Sequence, residues 1–272
     1  MKKNKYSLIA LDIDGTMVGD NKKLSQRLKT AIKKIQQIGA TVSIATGRPF
    51  SSAKKFSSLS GCNGPLICFQ GAMTYDLTQE KILRYLKLDN KIVSKTLDYF
   101  FQKEIEVMIF YDDMISSNNL SGWSKNYAER NEIKFIESKD LNCYKGASPV
   151  AIIGVSEPET VANLVCDLKL KLKDNALVTH SLPMLCEIEH LNAGKDKALQ
   201  ELLKSYKIDK SNVVAVGDGK GDQNMIVWAG LGVGIENGHK DVVKSSDLLI
   251  PPPEEEGLAS FLENLYENNL TI

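Results

Sequence analysis

The run Leu8-Ile9-Ala10-Leu11-Asp12-Ile13-Asp14-Gly15-Thr16 decides how the rest of the chain is read. Four apolar residues of strand type stop at two aspartates one residue apart, and Gly15 supplies the turn that follows. A strand without polar alternation is buried on both faces, as in a parallel sheet. In open α/β sheets, ligands bind beyond the carboxyl ends of the strands, which is where these two acids stand. Residues i and i+2 of a strand point the same way, and a turn at Gly15 can redirect the second. Two carboxylates this close repel unless a cation or a proton lies between them.

Downstream, the same punctuation recurs. Apolar residues at 24, 28, 31, 32, 35 and 38 give a helix that Ser25 opens and Gly39 stops. A second buried strand over 41–45 runs into Thr46-Gly47-Arg48-Pro49, a helix follows over 50–59, and a third strand over 65–69 runs into Gln70-Gly71-Ala72. Strands alternating with helices imply parallel βαβ units. From about residue 82 the pattern changes. Helices over 91–102, 122–131 and 158–172 mix with strands over 106–111, near 114 and over 150–155, and a hairpin around Leu182-Pro183 joins 177–180 to 184–189. This reads as an α+β insert. The parallel pattern returns with a helix over 195–206 and a strand over 212–216 that ends in Gly217-Asp218-Gly219-Lys220-Gly221-Asp222. A helix near 225–229, strands over 231–235 and 247–250, and a last helix over 257–268 complete it. The expected fold is α/β: a doubly wound, mainly parallel, Rossmann-like core built from 1–82 and 185–272, with an inserted α+β cap at 83–184. Hinges are expected near 82–84 and 183–186, so that closure of the cap excludes water from the reacting group.

Composition narrows the function. Lys+Arg and Asp+Glu both number 34, so the net charge is zero and no electrostatic footprint for nucleic acid exists. The opening Met1-Lys2-Lys3-Asn4-Lys5 is basic, but the apolar run after it is too short for a signal peptide. No stretch approaches the roughly 18 apolar residues of a membrane span. The five cysteines are scattered without a C-x-x-C pair, which suits reduced thiols. The three histidines show no metal-ligand spacing. The expected protein is cytoplasmic, a monomer or weak dimer, with no nucleic-acid or membrane partner.

Three strand ends converge on one chemistry. The first carries Asp12 and Asp14, the second Thr46 and Gly47, another Asp218 and Asp222, and Lys195 opens a helix of the same layer. A hard cation such as Mg2+ takes oxygen ligands, and Asp12 and Asp218 can supply them. Lys195, with the hydroxyl and backbone N–H of Thr46 and Gly47, can hold phosphate oxygens. One aspartate can attack phosphorus, and the other can protonate the leaving oxygen and then activate water. Such a set suits phosphoryl transfer.

Asp12-Ile13-Asp14-Gly15-Thr16, Ala45-Thr46-Gly47-Arg48, Gly194-Lys195, and Gly217-Asp218 with Asp222 resemble the four motifs of the haloacid dehalogenase-like hydrolases. Their order and spacing resemble the Cof-type phosphatases, which carry a large α+β cap of the IIB type. Leu185-Cys186-Glu187-Ile188-Glu189, Ala229-Gly230-Leu231-Gly232-Val233-Gly234 and Glu256-Gly257-Leu258-Ala259 look like the same subfamily. The resemblance implies Asp12 as nucleophile and Mg2+ ligand. It implies Asp14 as general acid/base, with its carbonyl on the metal. Asp218 becomes the third metal ligand, and Asp222 holds the metal's surroundings. Ile13 (through its backbone N–H), Thr46, Gly47 and Lys195 bind phosphate.

Three positions depart from the family pattern. Gly221 stands where Asn is usual before the last aspartate, Gln70 where Asn precedes Gly after the third strand, and Pro251-Pro252-Pro253 where an Asn is common. Losing one hydrogen bond to a charged group costs roughly 1.5–3 kcal/mol, which weakens a site without abolishing it. Lys220 could replace that amide in part. The implied activity is Mg2+-dependent hydrolysis of small phosphorylated metabolites, such as sugar phosphates, through an aspartyl-phosphate. Two alternatives are a phosphomutase of the phosphomannomutase type, for which the insert's only arginines are Arg84 and Arg130, and a non-catalytic phosphometabolite-binding protein. Tyr111, Asp112, Trp123, Tyr127 and His180 are the insert's candidates for substrate choice.

Overall fold

The computed structural model describes residues 6–180 and 182–271; the basic run before Tyr6 lies outside them. The chain divides into two compact units, 1–84 with 194–272, and 85–193.

In the first unit, β1 (Leu8–Leu11), α1 (Gln26–Gln37), β2 (Thr41–Ala45), α2 (Phe50–Ser60) and β3 (Leu66–Cys68) follow in sequence. β4 (Met73–Asp76) and β5 (Lys81–Tyr85) then turn the sheet antiparallel at one edge. Neither strand was expected from the pattern, because each is short and β5, at the edge, is largely solvated. Ser25 caps α1 by accepting the Leu28 N–H, and Leu28, Ala31, Ile32 and Ile35 form its buried stripe.

The second unit contains α3 (Asn90–Gln102), β6 (Glu106–Tyr111), β7 (Met114–Ser117), α4 (Trp123–Asn131), β8 (Lys134–Glu137), β9 (Ala151–Val155), α5 (Pro158–Leu172), β10 (Ala176–Thr179) and β11 (Leu185–His190). Its six strands run in the order β10-β11-β9-β6-β7-β8. Leu97 and Phe100 of α3 and Leu164 and Leu168 of α5 share one core with Val107, Ile109, Ile152 and Ile188 of the sheet. The hairpin is present as β10 and β11, paired antiparallel. β11 also pairs with β9, so the chain returns to the first unit at Gly194 rather than at 185. The alternating Leu185 to Glu189 run is a strand of the second sheet, and its nearness in sequence to Lys195 does not put it in the first.

The chain re-enters with α6 (Lys195–Tyr206), β12 (Val213–Gly217), α7 (Gln223–Trp228), β13 (Leu231–Ile235), α8 (Lys240–Ser245), β14 (Leu248–Ile250) and α9 (Gly257–Glu267). The eight-stranded order is β14-β13-β12-β1-β2-β3-β4-β5, parallel from β14 to β3. β1 therefore lies between β2 and β12, where the order of strands reverses, the usual ligand crevice of such sheets. Among the described residues, no helix is long and apolar enough to cross a membrane.

One buried carboxylate anchors the second unit. Glu106 opens β6 and accepts the backbone N–H and hydroxyl of both Ser121 and Ser124, which fixes the first turn of α4. Burial works to raise this carboxyl, but those hydrogen bonds outweigh it and hold it below the usual carboxylate range. A lowered native pKa contributes stability that is fully present above the unfolded value of about 4.3 and is lost as pH falls through the native one. Urea unfolding of the native protein should therefore weaken below about pH 4.3. Glu106→Gln should flatten that decline, and at neutral pH should cost about 1.5–3 kcal/mol. An unchanged acid limb in Glu106→Gln would remove Glu106 as its source.

Candidate active site

The register of the three central strands assembles the site. Leu11 pairs with Ile44 and with Val216, so the residues just after each strand emerge side by side. The Asp12 N–H donates to the Val216 carbonyl (3.0 Å), which carries the β1–β12 ladder one residue beyond the strand. After Asp12 the chain curls: the Ile13 carbonyl accepts the N–H groups of Met17 (2.9 Å) and Val18 (3.0 Å). Gly15 sits in this curl at φ +84°, and a Cβ there would lie 2.2 Å from Asp218 Oδ2. The turn therefore needs glycine for its conformation and for the approach of Asp218.

Asp12, Asp218 and Asp222 come together, with one carboxylate oxygen from each within 4.8 Å of the others. Asp12 and Asp222 are buried, and Asp218 is half-buried. Lys195, the first residue of α6, reaches between two of them, with Nζ 2.7 Å from Asp12 Oδ1 and 2.6 Å from Asp222 Oδ1. Burial acts to discharge this ammonium, but the two carboxylates override it and hold Lys195 above the ordinary lysine range. Burial pushes the Asp12 carboxyl well up; Lys195 opposes the shift, and the charges of Asp222 and Asp218 add to it. Burial, then Asp222, push Asp218 up to about 6. Thr16 donates its hydroxyl to Asp218 Oδ1 (2.9 Å) and partly offsets this.

Asp222 is spent within the protein. Besides Lys195, it takes the backbone N–H groups of Asp218 (3.2 Å) and Gly219 (2.9 Å) on Oδ2. It fixes the loop that carries Asp218, leaving Asp12 and Asp218 as the carboxylates with capacity for a cation. The donor set fits Mg2+. It is all oxygen, and with Lys195 matching one of the three carboxylates, a divalent cation balances the remaining two.

Asp14 points elsewhere. Arg48 grips it with two hydrogen bonds, Nε to Oδ2 and Nη2 to Oδ1, both 2.7 Å, and Lys22 Nζ adds a third at 2.8 Å. Burial would raise this carboxyl, but Arg48 and then Lys22 bring it down to about 2. The side chain is thus held ionised and occupied by Arg48 and Lys22. Thr46 and Gly47 follow β2, and the Thr46 hydroxyl accepts the Arg48 N–H (3.2 Å). Lys220 is exposed.

Three contributors had no role assigned from sequence. The Arg48 of Thr46-Gly47-Arg48 was part of a motif without a partner, and the Asp14 link is visible only once β1 and β2 are adjacent. Thr16 closes the first motif without a role of its own, and Lys22 lies outside every motif. The insert's candidates separate into groups. In the second unit, Lys87 lies near Asp112 (3.4 Å) and over the Tyr111 ring (5.3 Å). Trp123 stacks on Tyr127 (5.3 Å) beneath Arg130. His180 is exposed beyond the end of β10, the opposite edge of the sheet from α4's strand partners.

Comparison with known proteins identifies the family. The haloacid dehalogenase-like hydrolase family model matches residues 9–262. The chain is 27% identical to the 5-amino-6-(5-phospho-D-ribitylamino)uracil phosphatase YwtE of Bacillus subtilis, over 94% of this chain and 97% of that protein. It is 24% identical to a phosphoglycolate phosphatase of Methanopyrus kandleri, over 96% of this chain and 97% of that one. A haloacid dehalogenase-like hydrolase structure from Bacteroides thetaiotaomicron superposes with a TM-score of 0.88 at 23% identity, covering 96% of this chain and all of the other. The match spans nearly every element from β1 to α9, and the chain belongs to the haloacid dehalogenase-like hydrolases.

Proposed function

We propose that this protein is a Mg2+-dependent phosphatase of small phosphorylated metabolites that works through an aspartyl-phosphate on Asp12. The observation that carries this reading is the packing of Asp12, Asp218 and Asp222 around a single ammonium. It is a cluster of oxygen donors short of positive charge. Asp12, the Asp14 carbonyl and Asp218 would hold Mg2+, which when bound offsets repulsion between the carboxylates and the phosphate dianion.

The protein's own groups then divide the work. An oxygen of Asp12 attacks phosphorus as the bond from phosphorus to the leaving oxygen breaks, and the Asp14 carboxylic acid gives that oxygen its proton. In the second half Asp14, now carboxylate, takes a proton from water. The water oxygen attacks phosphorus, the bond to Asp12 breaks and phosphate leaves. Lys195, the Thr46 hydroxyl and the N–H groups of Ile13 and Gly47 hold the phosphoryl oxygens. Asp14 paired with Arg48 and Lys22 is in the state the second half requires. To protonate a leaving group it must come off Arg48.

Relatives that act on a phosphorylated ribitylaminouracil and on phosphoglycolate support a phosphomonoester of a small polyol or acid as substrate class. A phosphomutase needs arginines free for a second phosphate. Arg84 lies in the first unit, where it donates to the Gly71 carbonyl (2.9 Å) and pairs with Glu201, while Arg130 lies on Trp123. None of the five cysteines forms a disulfide, and three are buried, which fits a reducing compartment such as the cytoplasm.

Turnover of p-nitrophenyl phosphate with MgCl2 and its loss in EDTA test the reading directly. Asp14→Asn should slow that turnover by on the order of 10²–10⁴-fold. It should still bind beryllofluoride, a phosphoryl mimic, because Asp12 and the Asp14 carbonyl remain. Activity unaffected by EDTA, or by Asp14→Asn, would sink the assignment.

A further inference from the structure

The scheme above makes no use of Gln70, which lies where three of the site's turns meet. β3 ends at Cys68, and Phe69–Gly71 form one short 3-10 turn before β4. Gln70 sits in it at φ +49°, ψ +27°, a left-handed conformation that a side-chain-bearing residue adopts only under strain. The turn is stitched to the one after β2: the Gln70 N–H donates to the Thr46 carbonyl (3.2 Å) and the Phe69 N–H to the Arg48 carbonyl (3.1 Å). On another side it presses against the start of α6. A Cβ on Gly71 would lie 2.2 Å from the Gly194 oxygen and 2.9 Å from the Lys195 nitrogen.

The Gln70 carboxamide fills a slot that two glycines leave open. A Cβ on Gly47 would lie 2.6 Å from its Nε2, and a Cβ on Gly221 would lie 3.1 Å from its Oε1. A Cβ at 47 forces the carboxamide to shift, and one at 221 makes it give by a few tenths of an ångström. Within this slot Oε1 is buried and has no hydrogen-bond partner. An orphaned buried polar atom is costly, and here it belongs to a residue that is also strained. Packing alone explains neither, since an apolar side chain would fill the slot without the orphan. Strain and an unmet hydrogen bond coinciding beside Thr46, Lys195 and the Asp222 loop mark a group reserved for a ligand.

We propose that Gln70 binds the phosphoryl group in this site, a step that rests on the phosphatase reading above. Nε2 donates to a phosphoryl oxygen, and Oε1 accepts from a water that accompanies the bound phosphate, so both ends of the carboxamide gain partners on binding. The bare positions at 47 and 221 are what admit it. A carboxamide brought in from 221 and the one from 70 exclude each other.

Calorimetric titration with inorganic phosphate in MgCl2 tests this, using native protein, Gln70→Ala, Gln70→Gly, Gly221→Asn and the Gln70→Ala/Gly221→Asn pair. Gln70→Ala and Gln70→Gly should bind phosphate about 10–100-fold more weakly, the loss expected for one hydrogen bond to a charged group. With p-nitrophenyl phosphate, their KM should rise more than kcat falls. Gln70→Gly also relieves the positive φ, so its melting temperature should rise while its affinity drops. A merely structural role would lower both together. Gly221→Asn alone should weaken phosphate binding by expelling Gln70, and in the Gln70→Ala background it should strengthen it.

Affinities within twofold of native in both Gln70 variants, no phosphate binding by native protein, or affinity falling in step with melting temperature would each overturn the proposal. If phosphate binds in a Gln70-dependent way and no phosphomonoester is turned over, Gln70 keeps its role and the phosphatase reading falls. If turnover is Mg2+-dependent and indifferent to Gln70, the reverse holds.

Discussion

Asp12→Asn should leave no measurable phosphatase activity and no covalent phosphoprotein. A neutral amide is a poor nucleophile and a poor ligand for a hard cation, so one substitution removes both functions proposed for the residue. The side chain is nearly isosteric, so the fold should survive. In the native site burial, together with the charges of Asp222 and Asp218, outweighs the attraction of Lys195 and works against ionised Asp12, and the amide removes that net penalty. The variant should therefore melt no lower than native protein in EDTA. In MgCl2 native protein should gain stability and Asp12→Asn should gain less, because binding to the folded state alone raises stability by mass action. Beryllofluoride should bind native protein and not this variant. Near-native turnover by Asp12→Asn, with activity lost in Asp14→Asn, would exchange the two roles.

Lys195→Met should be the most damaging substitution to stability. Lys195 is 4% exposed, and its ammonium touches two carboxylates at 2.6 and 2.7 Å. Removing one partner of a buried ion pair typically costs about 3–5 kcal/mol, because the charges left behind are uncompensated. Here Asp12 and Asp222 would face each other with Asp218 beside them. Urea unfolding in EDTA should show the full loss, and MgCl2 should return part of it. Activity should fall as well, since the same ammonium is proposed to hold phosphoryl oxygens. A variant as stable as native in EDTA would mean that the cluster is not short of positive charge, and the main support for a cation there would be gone.

How much of this was legible in the sequence follows from the range of each interaction. The Asp12 turn, the buried strands and the α1 stripe are local patterns, and they read correctly, as did the hairpin around Leu182-Pro183. β4 and the edge strand β5 did not, the first being only four residues long and the second largely solvated. The return crossing was misplaced because a run such as Leu185 to Glu189 fits an edge or central strand of either sheet; only its pairing with β9 and β10 decides. Within the site, the carboxylates and Lys195 could be singled out because they stand at strand ends and at a helix start and match the family's motifs. The Arg48 grip on Asp14 could not: the alternation of strands and helices puts the two strand ends side by side but does not fix which side chains of the two turns meet. Gln70 could be noticed as unusual beside Gly221, but the shared slot exists only in three dimensions.

The pairing of β1 with β12 also sets the order in which the molecule can be made. Leu8 leaves the ribosome early, yet its partner Val213 emerges only after the whole second unit. That unit is one unbroken stretch with its own core, so it can complete itself once Ala193 is out. Meanwhile β1, β2 and β3 wait with the apolar edge of β1 unpaired, the kind of exposed strand that recruits other chains. At about 5–20 residues per second, the wait lasts many seconds for each molecule. During that interval Asp12 stands at the end of an open edge without Lys195 or Asp218. Slowed translation through the second unit should therefore cost soluble yield more than slowing after β12.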